Sequence, residues 1–273
     1  MADAGNFAAG VPTVMTTLRG MTSVNVTVWA LKSAMHSETF GGPTPDATIG
    51  LVRMLASLHD ERGNTTVDGL DAMQAWDGVE YPESQFRLDA NVLEEVRLMG
   101  DGSVADLLWA RPSATFAGMD VAPVVRPAST IQASAAARIS LRLPPGMTGI
   151  QAQDALVRHL LARVPWGMRC RIDRIATSDP FVGSLEGPAV GAMRSAMEEA
   201  FGRPAITEGQ GASMQLCNVL ADAYPDAEIV LLGVEEPRCL IHAPNESVDP
   251  WEIERMALAE AAFLTRYGAH RAG

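Results

Sequence analysis

Two histidines, one arginine and a glycine-rich turn hold most of the chemistry this sequence can offer. His242 stands directly before Ala243-Pro244-Asn245-Glu246 in a polar loop. Before that loop lies an apolar run, 229–234, whose length and composition suit a buried strand. After it a helix has clear start signals: Asp249 as N-cap, Pro250 in the first helical position and Glu252 in a capping-box-like place. An imidazole held between a strand end and a helix start is a candidate metal ligand or proton carrier, and open α/β sheets bind ligands at the carboxyl ends of their strands. Cys239 precedes His242 by three positions, as zinc ligands can, but one such pair is a weak signal. The turn Glu208-Gly209-Gln210-Gly211-Ala212-Ser213 lacks the Gly-Lys-Ser ending and the G-x-G-x-x-G spacing of a phosphate loop. Two readings stay open for it: a strand-to-helix turn in which small residues avoid clashes, or backbone N–H groups at a helix start that bind a substrate carboxylate. His36 lies in a loop rich in Gly and Pro, and Arg142 lies on the polar face of a strand, where the default is a solvated side chain. His59 and His159 fall on expected helices and His270 in the tail, with no chemistry assigned. There is no H-E-x-x-H and no nucleophile elbow.

The elements that would position these residues follow from periodicity. A strand over 13–18 runs through Arg19-Gly20 into a second, where Val24, Val26 and Val28 alternate with polar residues. Asp46 caps a helix with Ile49, Val52, Leu55 and Leu58 as apolar positions. Residues 64–128, with Trp76 and Trp109, show the least periodicity, and no strand is placed there. Ile139, Leu141 and Leu143 mark a half-buried strand that Pro144-Pro145-Gly146 ends. A helix over 151–163 carries Ala155, Leu156, Leu160 and Leu161 on one side, and Met168, Cys170 and Ile172 mark another strand. That order predicts an α+β sandwich, one antiparallel sheet covered by two helices. Beyond 177, a helix opening at Pro188 has Val190, Met193, Met197 and Phe201 on one face. A short strand over 205–207, a helix starting near Ser213 or Met214, and the 229–234 run then predict parallel neighbours in a doubly wound α/β domain. In the last helix Ile253, Met256, Ala257, Ala261 and Leu264 form the expected inner face, with Gly268 ending it.

Composition excludes several classes. The 273 residues carry a net charge of -12, which disfavours nucleic acid and anionic membranes as partners. No apolar run reaches the ~20 residues of a membrane span, and no secretory signal is visible at the N-terminus. Three cysteines, Cys170, Cys217 and Cys239, at unrelated spacings point to reduced thiols and a cytoplasmic setting.

Taken together, IHAPNESV, the glycine-rich turn ending in Ser213, HSETFGG and SLRLPPGMT resemble the di-zinc metallopeptidase and amidohydrolase family of carnosine dipeptidases, succinyl-diaminopimelate desuccinylase and aminoacylase. The stretch from GVPTVMTTLRG through HSETFGG is most similar to the dipeptidase branch. The resemblance implies an α/β fold: part of a doubly wound zinc-peptidase domain with an inserted α+β sandwich lid that also forms a homodimer. It divides the chain into the end of an N-terminal catalytic segment (1–18), the lid (19–177) and the C-terminal catalytic part (178–273). It makes Asp3 and His242 zinc ligands and places His36 on the scissile carbonyl or its oxyanion across the dimer. Ser129, Arg142, Gly211, Ala212 and Ser213 become substrate-binding residues. It further implies two zinc ions in the complete site, with manganese or cobalt as alternatives, and a small peptide or N-acyl amino acid as substrate. Its departures are Ala212 for a glycine, Gln215 for a proline and Gln132 for a proline.

The family's H-x-D motif, bridging aspartate and paired glutamates have no counterpart in this sequence. The expectation is therefore an enzyme part that is inactive alone or needs a separate chain carrying the first half. The alternative is a catalytically inactive dimerisation or regulatory module derived from such an enzyme. Without partner strands, residues 178–273 are expected to be poorly soluble.

Overall fold

The chain crosses between two sheets at a single residue. In a computed structural model, which describes residues 4–125, 127–211 and 213–271, strand β1 (Thr13–Leu18) is followed by Arg19 and then by β2 (Gly20–Trp29). β1 belongs to a three-stranded sheet and β2 to a four-stranded one. The return crossing presses against the outward one. A Cβ on Gly20 would lie 2.7 Å from the nitrogen of Pro180 and from the carbonyl of Ser178, so only glycine fits.

After β2 come β3 (Met35–His36), α1 (Ser37–Phe40), α2 (Ala47–Ala56), α3 (Glu83–Asp89), β4 (Ser113–Asp120), β5 (Thr130–Ile131), β6 (Ser134–Leu143), α4 (Gly149–Ala162) and β7 (Arg169–Ser178). The order β4-β6-β2-β7 is antiparallel throughout. Its inner face offers Val24, Val26, Val28, Ile139, Leu141 and Leu143 to Leu51, Met54 and Leu55 of α2 and to Leu156 and Leu160 of α4. Alternation along β2 and β6 produces this, because a pleated strand sends every second side chain to one face. The sandwich of one sheet under two helices is the one the sequence predicts. Asp46 caps α2 through its Oδ1, which accepts from Thr48 N at 2.7 Å. α4 starts two residues earlier than expected, at a capping box of Thr148 and Gln151.

Some inner faces differ from expectation. Ile49 and Val52 are exposed, while Leu51 and Met54 are buried. The side of α2 that carries Ala47 and Gly50 is the one pressed inward, with Gly50 tight against the sulfur of Met168. Leu161 is exposed too. His59 lies outside any helix, bridged to Thr65. β4 escaped the sequence reading because most of its side chains are exposed and do not alternate.

The second layer holds β8 (Phe181–Val182), α5 (Pro188–Phe201), β9 (Ile206–Gln210), α6 (Gln215–Ala223) and α7 (Pro250–Arg271). β9 runs parallel to β1, and β8 antiparallel to it. α5 buries the expected Val190, Met193, Met197 and Phe201, and packs on Met256 and Ala259 of α7. The molecule is thus mixed α/β.

The 229–234 run is not a regular strand. Leu231 and Leu232 are buried, but Leu231 makes only an isolated antiparallel bridge to Met15. The strip 4–6 takes up its hydrogen-bonding groups instead: Ala4 N donates to Leu232 O and Asn6 N to Glu235 O. α7 also differs. Asp249 caps it, accepting from Trp251 N at 2.9 Å. Glu252, however, turns inward and is 2% exposed rather than closing a capping box. The inner face is Glu252, Met256 and Ala259, while Ile253 and Leu264 are exposed. Gly268 does not end the helix, which continues to Arg271.

Candidate substrate-binding site

The expected site residues form two groups at opposite ends of β6. At one end β3 pairs with β5, setting His36 opposite Thr130. Ser37 N donates to Ser129 O at 2.9 Å, so His36 and Ser129 are neighbours. His36 is exposed, and its Nδ1 lies 3.4 Å from Thr39 Oγ1. At the other end, Arg142 stands between Met21 of β2 and Ser113 of β4. Eight residues of strand separate Ser134 from Arg142, about 26 Å at strand rise. Within one chain, therefore, His36 and Ser129 do not share a site with Arg142.

Arg142 has other company. Arg19, at the end of β1, is buried, and its Nη1 donates to Ser113 Oγ at 3.0 Å. Burial first, and the charge of Arg142 second, together lower its pKa to about 10. Arg19 N also donates to Gln210 O at 3.0 Å, which locks the end of β1 to the end of β9. A Cβ on Gly211 would come within 3.1 Å of Arg19 Nη2. The ends of β1, β6 and β9 thus bring Arg19, Arg142 and Gly211 to one place. Ser213 follows, half-buried, two residues before α6 begins. Ala212 lies outside the described residues. Two guanidinium groups beside a glycine turn form an anion-binding arrangement, because Arg presents paired N–H donors to a carboxylate.

The metal candidates are not assembled. His242 is exposed, with φ of 61°, in a tight loop where Ala243 N donates to Leu240 O at 2.8 Å and Ser247 N to Cys239 O at 3.0 Å. It is therefore not clamped between a regular strand and α7. Cys239 is buried and engaged elsewhere: Glu236 N donates to its sulfur at 3.3 Å. Burial pushes its thiol pKa up. Asp3 lies outside the described residues. Among the described residues, no three His, Cys, Asp or Glu side chains group to hold an ion. None of the cysteines forms a disulfide, and no described helix is long and apolar enough to cross a membrane.

Two site features were not foreseen. Arg19 is one. The other is Glu208 on β9, paired with Met15. Its Oε2 is enclosed without a hydrogen-bond partner among the described residues, and burial raises its pKa to about 8. Beside it the region 64–128 contributes aromatic rings. Tyr81 stacks on Trp109 with centroids 5.9 Å apart, and Trp76 lies 5.3 Å from Trp109. An acid in a short strand directly before a glycine turn was the available signal.

Known proteins bear on this arrangement. No protein-family model matches the chain. A curated relative, the Cysteinylglycine-S-conjugate dipeptidase of Corynebacterium striatum, is 38% identical over 269 residues, covering 97% of this chain and 59% of its own length. Among solved structures, the di-peptidase Dug1p of Saccharomyces cerevisiae superposes with a TM-score of 0.82 at 20% identity, over 97% of this chain and 58% of that one. An M20 family metallo-carboxypeptidase from Sulfolobus solfataricus gives 0.79 at 17% identity, over 96% and 61%. The chain is homologous to the M20 metallopeptidases. It spans about three-fifths of the length of these M20 relatives. The two structural likenesses, both below 25% identity, add the fold alone.

Proposed function

We propose that this chain is the substrate-holding and lid-bearing part of a metal-dependent dipeptidase that hydrolyses the amide bond next to a free carboxylate. The observation that carries the reading is its 38% identity with a cysteinylglycine-conjugate dipeptidase along 97% of the chain. The convergence of Arg142 and Gly211 supports it. Arg142 takes the substrate carboxylate through two parallel N–H···O bonds, and the turn from Gly211 to Ser213 closes around it with backbone donors. In this reading residues 19–177 are the lid, and 1–18 with 178–273 belong to the catalytic part. It acts in the cytoplasm, where its thiols stay reduced.

His36 and Ser129, beyond the far end of β6 from Arg142, are assigned to the site of a second copy, so that the lid joins a homodimer. Zinc is the first ion to test, followed by manganese and cobalt. A hydrolytic zinc centre needs about three protein ligands per ion and an open position for water. The described residues alone do not fit that requirement, since His242 is the one described member of the expected ligand pair.

The test uses the purified chain with zinc or manganese, titrated with glycylglycine and cysteinylglycine by calorimetry and assayed for their hydrolysis. Dipeptide binding that Arg142→Ala abolishes supports the reading. No binding, or an Arg142→Ala variant that binds as the parent does, overturns it. Sedimentation that shows a monomer at working concentration overturns the assignment of His36 and Ser129 to a second copy.

A further inference from the structure

β9 carries an acid at its middle and has two guanidinium groups beside its C-terminal end. At the C-terminal end stand Arg19 and Arg142, with Arg19 Nε unpartnered among the described residues. Three residues earlier stands the enclosed Oε2 of Glu208, also unpartnered. Other orphaned polar atoms gather on the same strand pair and the segment covering it: Thr17 Oγ1, Gln210 Oε1, Trp76 Nε1 and Arg111 Nη1. Gly209 brings two of them together, since a Cβ there would lie 2.9 Å from Thr17 Oγ1 and from the Trp76 ring. Native interiors leave few such atoms unsatisfied. Their concentration around one strand marks a place that a polar ligand completes.

The spacing selects the ligand. Three residues of strand cover about 10 Å. An extended dipeptide covers about 7 Å, short enough to lie between side chains rooted at those two points. A zwitterionic dipeptide presents an ammonium and a carboxylate at that separation. Tyr81 is close enough to Glu208 to feel its charge. Its hydroxyl pKa is raised by burial first, then by its bond to Asp89, and in part by Glu208. Tyr81, Trp109 and Phe7 form an apolar wall, with Phe7 and Tyr81 centroids 5.0 Å apart. Water is kept from that wall, so an ammonium arriving at Glu208 makes a strong pair.

We infer that β9 reads both ends of an unblocked dipeptide: Glu208 takes the free α-ammonium, and Arg19 joins Arg142 on the α-carboxylate. This rests on the dipeptidase reading and narrows it. N-acyl amino acids have no ammonium, so they bind without the ion pair at Glu208. The chain therefore discriminates against them, although both substrate kinds carry the carboxylate.

N-acetylglycine is glycylglycine without its ammonium group, so the two are the probes. Calorimetry on the full chain, its Glu208→Gln variant and its Arg19→Lys variant reads affinity, and carbon NMR of labelled Glu208 reads ionisation. The parent is expected to bind glycylglycine at least tenfold more tightly than N-acetylglycine. Glu208→Gln removes that preference and leaves N-acetylglycine affinity unchanged, while Arg19→Lys weakens both ligands. At pH 7, glycylglycine shifts the Glu208 carboxyl toward the ionised form and N-acetylglycine does not. A Glu208→Gln variant that keeps the preference, or a Glu208 signal indifferent to glycylglycine, overturns the ammonium assignment, and unchanged affinities in Arg19→Lys remove Arg19 from the carboxylate site. The NMR arm uses the parent chain and does not depend on any variant folding. Arg142→Ala binding as the parent does would sink the dipeptidase reading while leaving a positive Glu208 result in place, and a parent that binds neither probe overturns both.

Discussion

Asn6 donates from Nδ2 to Glu252 Oε2 at 2.7 Å, across 246 positions of sequence. The other oxygen, Oε1, accepts from Gly10 N at 2.6 Å, and Asn6 Oδ1 accepts from Thr13 N at 3.1 Å. One inward carboxylate on α7 thus fixes the strip that leads into β1, and with it the stretch that follows Asp3. Glu252→Ala orphans one buried and one partly buried donor and is expected to destabilise the fold by about 2–4 kcal/mol. Glu252→Gln retains one acceptor and costs less. Urea unfolding measures both, and a loss under about 0.5 kcal/mol for the alanine variant would show that the strip is held by other contacts.

His159 and pH give a second expectation. Asp68 N donates to His159 Nδ1 at 3.1 Å, which puts the ring proton on Nε2, facing Ser57 O at 3.1 Å. Ser57 Oγ donates to Met54 O at 2.7 Å. The Asp68-His159-Ser57 arrangement is therefore a pin between α2 and α4, without an activated hydroxyl. Burial holds the imidazole pKa below its ordinary value, and the charge of Arg163 acts in the same direction, with Asp68 opposing in part. Folding thus favours the neutral ring. This stabilisation is complete above the unfolded pKa, about 6.5, and is lost as pH falls below it toward the folded value. The contribution of His159 to the melting temperature, read as the difference between the parent and His159→Gln, is expected to hold between pH 7 and 8 and to shrink toward pH 5. Identical pH profiles for the two proteins would sink this expectation.

The legible parts of the sequence were those where one rule had no competitor. β2 and β6 bury a single face, so alternation at Val24, Val26, Val28 and at Ile139, Leu141, Leu143 sufficed. α2 and α7 each carry apolar residues on more than one side, and helical spacing alone cannot choose between Ile49 and Leu51, or between Ile253 and Met256. The choice came from neighbours: Met168 pressed on Gly50, and Asn6 bonded to Glu252. The 229–234 run read as a strand because its residues are apolar, yet pairing depends on a partner edge that sequence does not display. Arg142 and the Gly211–Ser213 turn were visible as motifs. Arg19 and Glu208 were not, since their meaning arises only when β1 and β9 lie side by side.

Gly209 tests how tightly the aromatic wall is fitted to β9. A methyl group there would stand 2.9 Å from Trp109 Cβ, from the Trp76 ring and from Thr17 Oγ1. Trp109 is fully enclosed and has no room to yield. Gly209→Ala is expected to cost about 1–3 kcal/mol by overpacking and to weaken dipeptide binding at the same time. A variant of unchanged stability, measured by urea midpoint, would mean that the tryptophans shift freely.

Glu208 also sets the alkaline side of the stability profile. Burial raises its carboxyl pKa from 4.5 to about 8. Folding therefore favours the protonated acid, the reverse of an ordinary surface carboxylate. The stabilisation is fully present below the unfolded pKa of about 4.5 and is lost as pH rises, until the folded carboxyl ionises near 8. Beyond that point an unpaired charge sits against Tyr81. The ligand-free chain is thus expected to lose stability between about pH 5 and 8, opposite in sign to the effect of His159, so the two together give a blunted maximum. Glu208→Gln, which never ionises, removes the alkaline slope and leaves the acid one. Saturating glycylglycine should flatten the same slope by pairing the carboxylate. Thermal melts from pH 5 to 9 on the parent, with and without glycylglycine, and on Glu208→Gln read this directly. An alkaline slope that persists in Glu208→Gln assigns it to another group.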